Sequence, residues 1–158
     1  MNQRYGVIKE YVNRHAKGQI ADLGIGKGYY YYKSKAKNVE GVDLNGNNLR
    51  KLKSHSPFVI TYHRDVREPV LRNDYYDLVI ISQVIEHFED YQPIIEEAKR
   101  ICKKDGYYLI GTPVNAPHKL HFHPKWDYED IIKLGEDLGT ILEIRKFPDH
   151  WLLYVKRI

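Results

Sequence analysis

The chain has a single cysteine, Cys102, in 158 residues, so no disulfide can form within it. No apolar run approaches the roughly 20 residues that a membrane-spanning helix needs, and residues 1–10 lack the apolar centre of a signal peptide. These absences predict a cytoplasmic protein without a membrane partner, in which Cys102 is a small buried residue. The length predicts one domain over residues 1–158.

The chain has little excess of either charge sign, since its formal net charge is only +4. This balance is compatible with a polyanionic partner but does not require one, because the basic residues are spread along the chain. Phenylalanine is also scarce, with 4 residues against 14 tyrosines. Because a tyrosine packs its ring while its hydroxyl stays in water, amphipathic packing explains the excess, and no function follows from it.

The patterns that are present alternate between strand and helix. Apolar runs predict seven strands: QIADL, NVEGVD, FVIT, YDLVIIS, YYLIG, TILEIRKF and WLLYVKRI. The last two are close enough in sequence to pair as an antiparallel hairpin. Helices are predicted over residues 3–16, from about Lys27, after Asn45, from Tyr91 to Cys102 and after Asp127. This rhythm predicts an α/β domain that is doubly wound around a mostly parallel sheet.

Polar residues and glycines follow the predicted strands at their carboxyl ends. Asp22 and the glycines of DLGIGKG follow the first strand, Asp43 the second, Asp65 the third, and Ser82 to His87 the fourth. A long aperiodic loop with three histidines follows the fifth strand. In a doubly wound sheet these ends lie at one edge, where ligands bind at the reversal of strand order. Glycines without Cβ atoms let the backbone lie against a ligand there.

Binding of a nicotinamide dinucleotide is one interpretation of the glycines, and the spacing fits it poorly. The G-x-G-x-x-G pattern, begun at Gly24, requires glycine where Tyr29 stands, and the chain offers no second domain for a hydride acceptor. The pattern present is an acid followed by three alternating glycines, with Asp43 placed 21 residues after Asp22.

Three segments in this order resemble the class I S-adenosylmethionine-dependent methyltransferases. DLGIGKG is similar to that family's first motif, GVDLN to its second, and residues 76–115 to the segment around strands four and five of its ubiquinone-biosynthesis-like, type 11 branch. The resemblance covers about residues 18–156. The small, tyrosine-rich chain also resembles methyltransferases encoded by viruses of heat-loving archaea, whose location would be the host cytoplasm.

The resemblance implies a Rossmann-like fold with a seven-stranded sheet, and transfer of a methyl group from S-adenosylmethionine that yields S-adenosylhomocysteine. The residues implied to contact the cofactor follow the first four strands: Asp22, Gly24, Ile25, Gly26 and Gly28 at the methionine end, Asp43 and Leu44 at the ribose, Asp65 and Val66 at the adenine, Ser82 and Gln83 at the sulfonium. A carboxylate at the ribose suits the family's chemistry because two hydroxyl donors match its two oxygens. A cap or turn is the alternative role for each of Asp22, Asp43, Asp65, Ser82 and Gln83.

Methyl transfer needs mainly positioning, with acceptor, methyl group and sulfur in line and water excluded. An acceptor hydroxyl or amine also needs a base, and His87 is the first candidate, with Gln83 beside the incoming acceptor. Ordering the loop through a hydrogen bond is the alternative role for His87. His118, His121 and His123 lie in the loop over the predicted pocket and are candidates for contact with the acceptor.

A metal site is a further alternative. Small-RNA end methyltransferases resemble this chain in fold and bind a metal through an E-x-x-E-H pattern plus a later histidine. Glu86 and His87 match this pattern, and HFH, residues 121–123, could supply the later histidine. Gln83, however, stands where the first carboxylate belongs, and an amide is a poor ligand where charge is needed. The sequence therefore predicts no metal.

The D/N-P-P-Y signature of amino methyltransferases and a Pro-Cys nucleophile are both absent, which disfavours methylation of DNA bases. The acceptor stays open among a small molecule, a protein and an RNA, and the oligomeric state stays open as well. The alternative to an enzyme is a non-catalytic nucleotide-binding or scaffold subunit with the same fold.

Overall fold

Seven β-strands form one mixed sheet at the centre of the protein, in a computed structural model that describes residues 2–158. The strands are β1 (Gln19–Leu23), β2 (Asn38–Asp43), β3 (Ile60–His63), β4 (Tyr76–Ser82), β5 (Cys102–Pro113), β6 (Thr140–Lys146) and β7 (His150–Lys156). Their order is β3-β2-β1-β4-β5-β7-β6. Strands β1 to β5 are parallel, and β7 is antiparallel to both of its neighbours. The predicted fold and its C-terminal hairpin are confirmed.

Within residues 2–158, four helices cover the two faces of this sheet: α1 (Gln3–Arg14), α2 (Gly46–His55), α3 (Gln92–Ile101) and α4 (Tyr128–Leu138). The apolar side chains of α1 and α2 belong to one hydrophobic cluster, and those of α3 and α4 belong to a second. Strand β4 contributes to both clusters, because Leu78 and Ile80 lie in the first while Val79 and Ile81 lie in the second. A strand covered on both faces needs an unbroken apolar run, as β4 has.

Side-chain caps determine where two of the helices begin. The Asn45 carboxamide oxygen accepts hydrogen bonds from the N–H groups of Asn47 and Asn48 at the start of α2. Asp127 and Asp130 form a reciprocal capping box at the start of α4. Both predicted starts are confirmed. In residues 2–158, no helix combines the length and the apolar character that crossing a membrane requires.

Two predicted elements before β4 differ from the structure. The helix predicted from about Lys27 is only a 3-10 turn, Tyr29–Tyr31. Gly28 before this turn and Lys33 after it have left-handed backbone angles, with φ of 50° and 54°, so the chain cannot continue as a helix at either end. The third strand is shifted from the predicted residues 58–61 to Ile60–His63.

The boundary between α3 and β5 also differs from the prediction. Strand β5 starts at Cys102, which the apolar pattern assigned to the end of the helix. The β4–β5 ladder has an irregularity between the pairs Tyr76–Cys102 and Leu78–Tyr107, and Asp105 turns the chain there with φ of 63°. The helical assignment of Cys102 is therefore wrong, whereas its predicted burial is confirmed.

Candidate functional site

A cavity of about 470 Å³ opens at the carboxyl ends of the strands, where the strand order reverses between β1 and β4. Its lining comes from the segments that follow β1, β2, β3 and β4, together with the first turn of α1. Of the eleven residues that the family resemblance assigns to the cofactor, ten line this cavity, and Asp22 does not. The predicted convergence of strand-end residues therefore exists in the fold.

The loop after β1 needs its glycines for the backbone conformation it adopts. Gly24 and Gly26 have φ of 79° and 57°, in the left-handed region that favours glycine. A Cβ atom on Gly24 would overlap the Val84 side chain, whereas one on Gly26 would meet no atom closer than 4.0 Å. The loop thus packs tightly against the end of β4 at Gly24 and lines the cavity at Gly26.

Asp43, at the end of β2, connects the glycine loop to the start of α2. Its Oδ2 accepts a hydrogen bond of 2.8 Å from the Gly26 N–H, and its Oδ1 accepts one of 2.8 Å from the Asn45 N–H. Each carboxylate oxygen can accept a further bond. Asp43 therefore orders the loop and still presents two acceptor oxygens to the cavity, beside the exposed Leu44.

Asp22, near the end of β1, is completely buried. Its Oδ2 accepts hydrogen bonds of 2.5 Å from the Tyr30 hydroxyl and 2.8 Å from the Tyr31 hydroxyl. Its Oδ1 has no hydrogen-bond partner among residues 2–158. Burial raises the pKa of Asp22 to about 7, the two tyrosine hydroxyls act to lower it, and the nearby Asp43 raises it further.

Asp65 and Val66 follow β3 at the far end of the cavity. The Asp65 carboxylate accepts two hydrogen bonds from the Arg67 guanidinium, of 2.9 and 2.7 Å, and this pairing lowers the pKa of Asp65. Val66 is buried, and its position in the lining supplies an apolar surface. The predicted adenine end therefore combines an ordered carboxylate with an apolar wall.

Ser82 is the last residue of β4 and Gln83 follows it, and both line the cavity. Gln83 has φ of 58°, a conformation that non-glycine residues adopt rarely and mostly where the surrounding structure holds them in it. Its N–H donates to the Gly111 carbonyl oxygen at 2.9 Å, which ties this turn to β5. The side-chain Nε2 of Gln83 is buried and has no partner in the described chain. An unused donor thus lies where the family resemblance places the acceptor.

The loop of residues 114–127 is attached to the segment after β4. The carbonyl oxygen of Glu86 accepts hydrogen bonds from the N–H groups of Phe122 and His123, of 2.8 and 3.1 Å. His87 Nδ1 donates to the Leu120 carbonyl oxygen at 3.2 Å, so the neutral ring carries its lone pair on Nε2. Burial lowers the pKa of His87 and the nearby His121 lowers it further, although the Leu120 contact raises it. A neutral imidazole suits the base role.

Glu86, His87 and His121 form a cluster whose candidate ligand atoms all lie within 4.8 Å of one another. Glu86 is completely buried, and neither of its carboxyl oxygens has a hydrogen-bond partner in residues 2–158. Burial raises the pKa of Glu86 to about 7. Two imidazoles and a carboxylate are able to hold a divalent cation. The sequence pattern identified Glu86 and His87 and offered a histidine of HFH as the third ligand, and the fold brings His121 of that segment to the cluster.

The other two loop histidines do not join this cluster. The His118 ring lies 5.3 Å from that of His121, between centroids, and its Nδ1 accepts a hydrogen bond from the Leu120 N–H. His123 packs against the Tyr91 ring and donates to the Glu89 carbonyl oxygen. Their contacts are those of residues that order the loop.

Several lining residues carry no signal in the sequence. Arg4 and Tyr5 reach the cavity from the first turn of α1, and Asn48 reaches it from α2. The Nε of Arg4 is buried and lacks a hydrogen-bond partner within residues 2–158. The apolar periodicity that predicts α1 indicates only which side of the helix faces the core. Which of its side chains line the cavity depends on how the helix packs on the sheet.

Comparison with known proteins agrees with this geometry. The profile of a family described as a methyltransferase domain matches residues 21–110. The ubiquinone biosynthesis O-methyltransferase of Nitrosomonas europaea is 26% identical over 138 residues, which cover 83% of this chain and 58% of that protein. The chain spans about half the length of the curated relatives it matches.

Solved structures share the fold, and two of them superimpose on nearly the whole chain. The 1,6-didemethyltoxoflavin-N1-methyltransferase of Burkholderia thailandensis, with bound 1,6-didemethyltoxoflavin and S-adenosylhomocysteine, superimposes with a TM-score of 0.81 at 14% identity, over 98% of this chain and 78% of that one. An S-adenosylmethionine-dependent methyltransferase of Aquifex aeolicus superimposes with a TM-score of 0.76 at 16% identity, over 99% and 90%. The family profile covers more than half of the chain, from the glycine loop through most of β5. The chain therefore belongs to the methyltransferase domain family, and it has the class I methyltransferase fold.

Proposed function

We propose that this chain transfers a methyl group from S-adenosylmethionine to an acceptor by in-line displacement and releases S-adenosylhomocysteine. The observation that carries the proposal is the glycine loop bound to Asp43 at the switch point of the sheet. The cavity there, of about 470 Å³, lies in the range of small-molecule and cofactor sites.

The residues present fit this cofactor. Asp43 has acceptor capacity on both oxygens for two ribose hydroxyls, and Gly26 lets a ligand approach bare backbone. Val66 and Asp65 suit an adenine, with its apolar faces and its amino group. Asp22 does not line the cavity, but its hydrogen-bond partner Tyr30 does, so Asp22 lies one hydrogen bond behind the lining, with one oxygen unpartnered as judged over residues 2–158. This oxygen is the one we assign to the methionine ammonium.

The cofactor supplies an activated methyl group on a sulfonium, and the protein supplies position and a proton acceptor. Gln83 would orient the acceptor through its unused Nε2 donor, and Ser82 lies beside it in the lining. His87 would take the acceptor proton on Nε2 while Nδ1 stays bonded to Leu120. The loop of residues 114–127, bound to Glu86, would exclude water from this end of the cavity.

Calorimetric titration tests the proposal directly. S-adenosylhomocysteine should bind at micromolar or lower concentration, and NAD should not bind. Labelled methyl transfer onto fractionated small-molecule, protein and RNA extracts then identifies the acceptor class. Tight binding of NAD alone contradicts the proposal, and cofactor binding without transfer to any fraction supports the non-catalytic scaffold subunit instead.

We further propose that residues 1–158 act as one domain in the cytoplasm. The only thiol, Cys102, is buried, and burial raises its pKa to about 11, so it stays protonated and unreactive. Methylation of DNA bases stays disfavoured, because the segment after β4 reads SQVIEH and contains no D/N-P-P-Y signature.

A second candidate is methyl transfer assisted by a divalent cation, and the geometry of Glu86 favours it. A buried carboxylate without a partner is costly, and a bound cation would neutralise it. His87 and His121 complete a ligand set that suits Zn²⁺ or Co²⁺. Such a cation would polarise the acceptor and lower the pKa of its hydroxyl.

Titration with Zn²⁺ at pH 7.5 separates the two mechanisms. If the cation site exists, Glu86→Gln and His121→Ala should each weaken Zn²⁺ binding at least about tenfold, because each removes one of three ligands. His118→Ala is the matched control on the same loop and should bind as the unmodified chain does. Absence of binding, or equal binding by all four proteins, leaves His87 as a base without a metal.

A further inference from the structure

The run Tyr29–Tyr32 contains two chemically distinct pairs. The side chains of Tyr29 and Tyr32 are exposed at 40% and 45%, whereas Tyr30 and Tyr31 are buried at 4% and 0%. The two buried hydroxyls both donate to one oxygen of Asp22. Amphipathic packing therefore accounts for the outer tyrosines and leaves this convergence unexplained.

The geometry around Asp22 is unusual for a buried acid. Both donors bind Oδ2, and Oδ1 has no hydrogen-bond partner among residues 2–158. No ion pair or direct cationic contact is found for Asp22 over the same residues. A buried carboxylate oxygen without a donor is unfavourable, so this oxygen is satisfied either by a proton or by a ligand group that donates hydrogen bonds and carries positive charge.

Packing fixes both hydroxyls before any ligand arrives. The Tyr30 and Tyr31 rings lie 4.7 Å apart, between centroids, in the cluster that α1 and α2 cover. Tyr30 also contacts Tyr5 of α1 at 6.0 Å, between centroids, and it lines the cavity. The 3-10 turn therefore links the ligand site to the core on that face.

We propose that Tyr30 and Tyr31 are positioning residues that hold the Asp22 carboxylate with its second oxygen directed to the ammonium group at the methionine end of the cofactor. This inference rests on the proposed function, because it deepens the role of the same site. The ligand feature concerned is a primary ammonium, and the nucleoside part of the ligand is bound elsewhere, by Asp43 and the adenine end.

Two probes isolate this contact. S-adenosylhomocysteine carries the ammonium, whereas 5′-methylthioadenosine has the same nucleoside and thioether but lacks the amino-acid end. Tyr30→Phe and Tyr31→Phe should each weaken S-adenosylhomocysteine about tenfold in calorimetry, as expected for loss of a hydrogen bond to a charged group. Both variants should bind 5′-methylthioadenosine within about twofold of the unmodified chain. Tyr29→Phe and Tyr32→Phe are the matched controls and should change neither affinity.

The pH profile gives a readout that a purely structural role would not move. S-adenosylhomocysteine binding should weaken on acidification below about pH 7, as Asp22 takes up a proton, and 5′-methylthioadenosine binding should not. Because the two hydroxyls lower the pKa of Asp22, their removal should shift this profile to higher pH. The other groups that act here are Asp43 on Asp22, and Arg4 and Tyr5 on Tyr30; they are unchanged in the variants.

Each outcome decides one question. If the unmodified chain binds neither probe, the proposed function fails and the inference with it. If it binds both, and the two buried-tyrosine variants either keep full S-adenosylhomocysteine affinity or lose both probes equally, only the positioning role is overturned. Should these variants fail to fold, Asp22→Asn decides: it should erase both the preference for S-adenosylhomocysteine and its pH dependence, and retention of either contradicts the proposal.

Discussion

The two ends of the cavity differ in how their polar groups are bonded. At the glycine loop, both oxygens of Asp43 accept backbone hydrogen bonds, and two tyrosine hydroxyls hold one oxygen of Asp22. After β4, the Gln83 Nε2 and both oxygens of Glu86 have no partner among residues 2–158. Since an unbonded buried polar atom is unfavourable, the first end is largely formed in advance, with Asp22 Oδ1 left unpartnered among residues 2–158, and the second end is completed by what binds there.

Asp22 and Glu86 make the contrast specific. Both are completely buried, and burial raises the pKa of each to about 7. Two hydroxyls counteract this rise at Asp22, whereas at Glu86 its own backbone N–H and Arg4 are what oppose it. One carboxyl therefore has one oxygen held by two hydroxyls and one left for the ligand group that we propose, whereas the other carboxyl depends on a cation or a proton.

The largest expected effect breaks the preformed end. Asp43→Ala removes the acceptors proposed for the ribose hydroxyls and frees the Gly26 and Asn45 N–H groups, so S-adenosylhomocysteine affinity should fall at least about 100-fold. Asp43→Asn keeps one side-chain oxygen and should lose less. Calorimetry measures both, with circular dichroism to verify folding. Unchanged affinity in the alanine variant would remove the central support for the cofactor assignment.

The next effect concerns folding stability and tests the contact between Gly24 of the glycine loop and Val84 after β4. Gly24→Ala places a β-carbon against Val84 in a backbone with φ of 79°, and we expect a loss of folding free energy on the order of 2–4 kcal/mol. Gly6→Ala in α1 is the control, because a Cβ there meets no atom within 4 Å and helix propensity favours alanine.

The double variant Gly24→Ala/Val84→Ala separates the contribution of the overlap with Val84 from that of the strained backbone at residue 24. It relieves the overlap but keeps the strained backbone, so chemical denaturation should show partial recovery only. Complete recovery would mean that backbone strain contributes little, and no destabilisation in the single variant would mean that the loop shifts freely against β4.

The same contrast explains which parts of the site the sequence predicts. Asp22, the glycines and Asp43 lie in contiguous motifs at strand ends, and strand topology alone brings such ends to one edge. Arg4 and His121 have no such signal. Arg4 is placed by the packing of α1, and His121 by two backbone hydrogen bonds to Glu86 from residues that follow it in an aperiodic loop.

Two misassigned elements have a related cause. The turn Tyr29–Tyr31 follows a glycine in the left-handed region, and the strand–helix rhythm that predicts a helix from about Lys27 does not report φ. At Cys102 the apolar pattern of α3 continues without a break, because the first residue of β5 is also buried. The spacing of apolar residues alone therefore cannot separate the end of the helix from the start of the strand.

A smaller expected effect concerns the pH dependence of folding stability, to which Glu86 in the segment after β4 contributes. In the folded chain Glu86 keeps its proton up to about pH 7, whereas in the unfolded chain it loses it near pH 4.5. The folded state therefore binds more protons in this window, so the contribution of Glu86 is full at low pH and is lost as pH rises toward 7. Glu86→Gln should reduce the fall in stability between pH 5 and pH 8 by on the order of 2–3 kcal/mol.

Urea denaturation at the two pH values measures this change. Glu89→Gln, which alters an exposed carboxyl in the same segment, is the control and should leave the difference between the two pH values as it is. An equal pH response in Glu86→Gln and the unmodified chain would show that the Glu86 carboxyl gains a partner in solution.

The smallest expected effect lies at the proposed adenine end, where the bonded carboxylate of Asp65 is partly exposed to water. Arg67 holds Asp65 with two hydrogen bonds, yet its side chain is 48% exposed, and exposed ion pairs contribute little. Arg67→Met should change S-adenosylhomocysteine affinity less than about threefold in calorimetry, whereas Asp65→Ala should reduce it more. If Arg67→Met instead reduced affinity tenfold or more, then the ordering of this carboxylate, rather than its presence, would control the adenine end. The Asp65 carboxylate would then be held in place before the ligand binds, as the Asp43 carboxylate is, although its Arg67 partner is exposed.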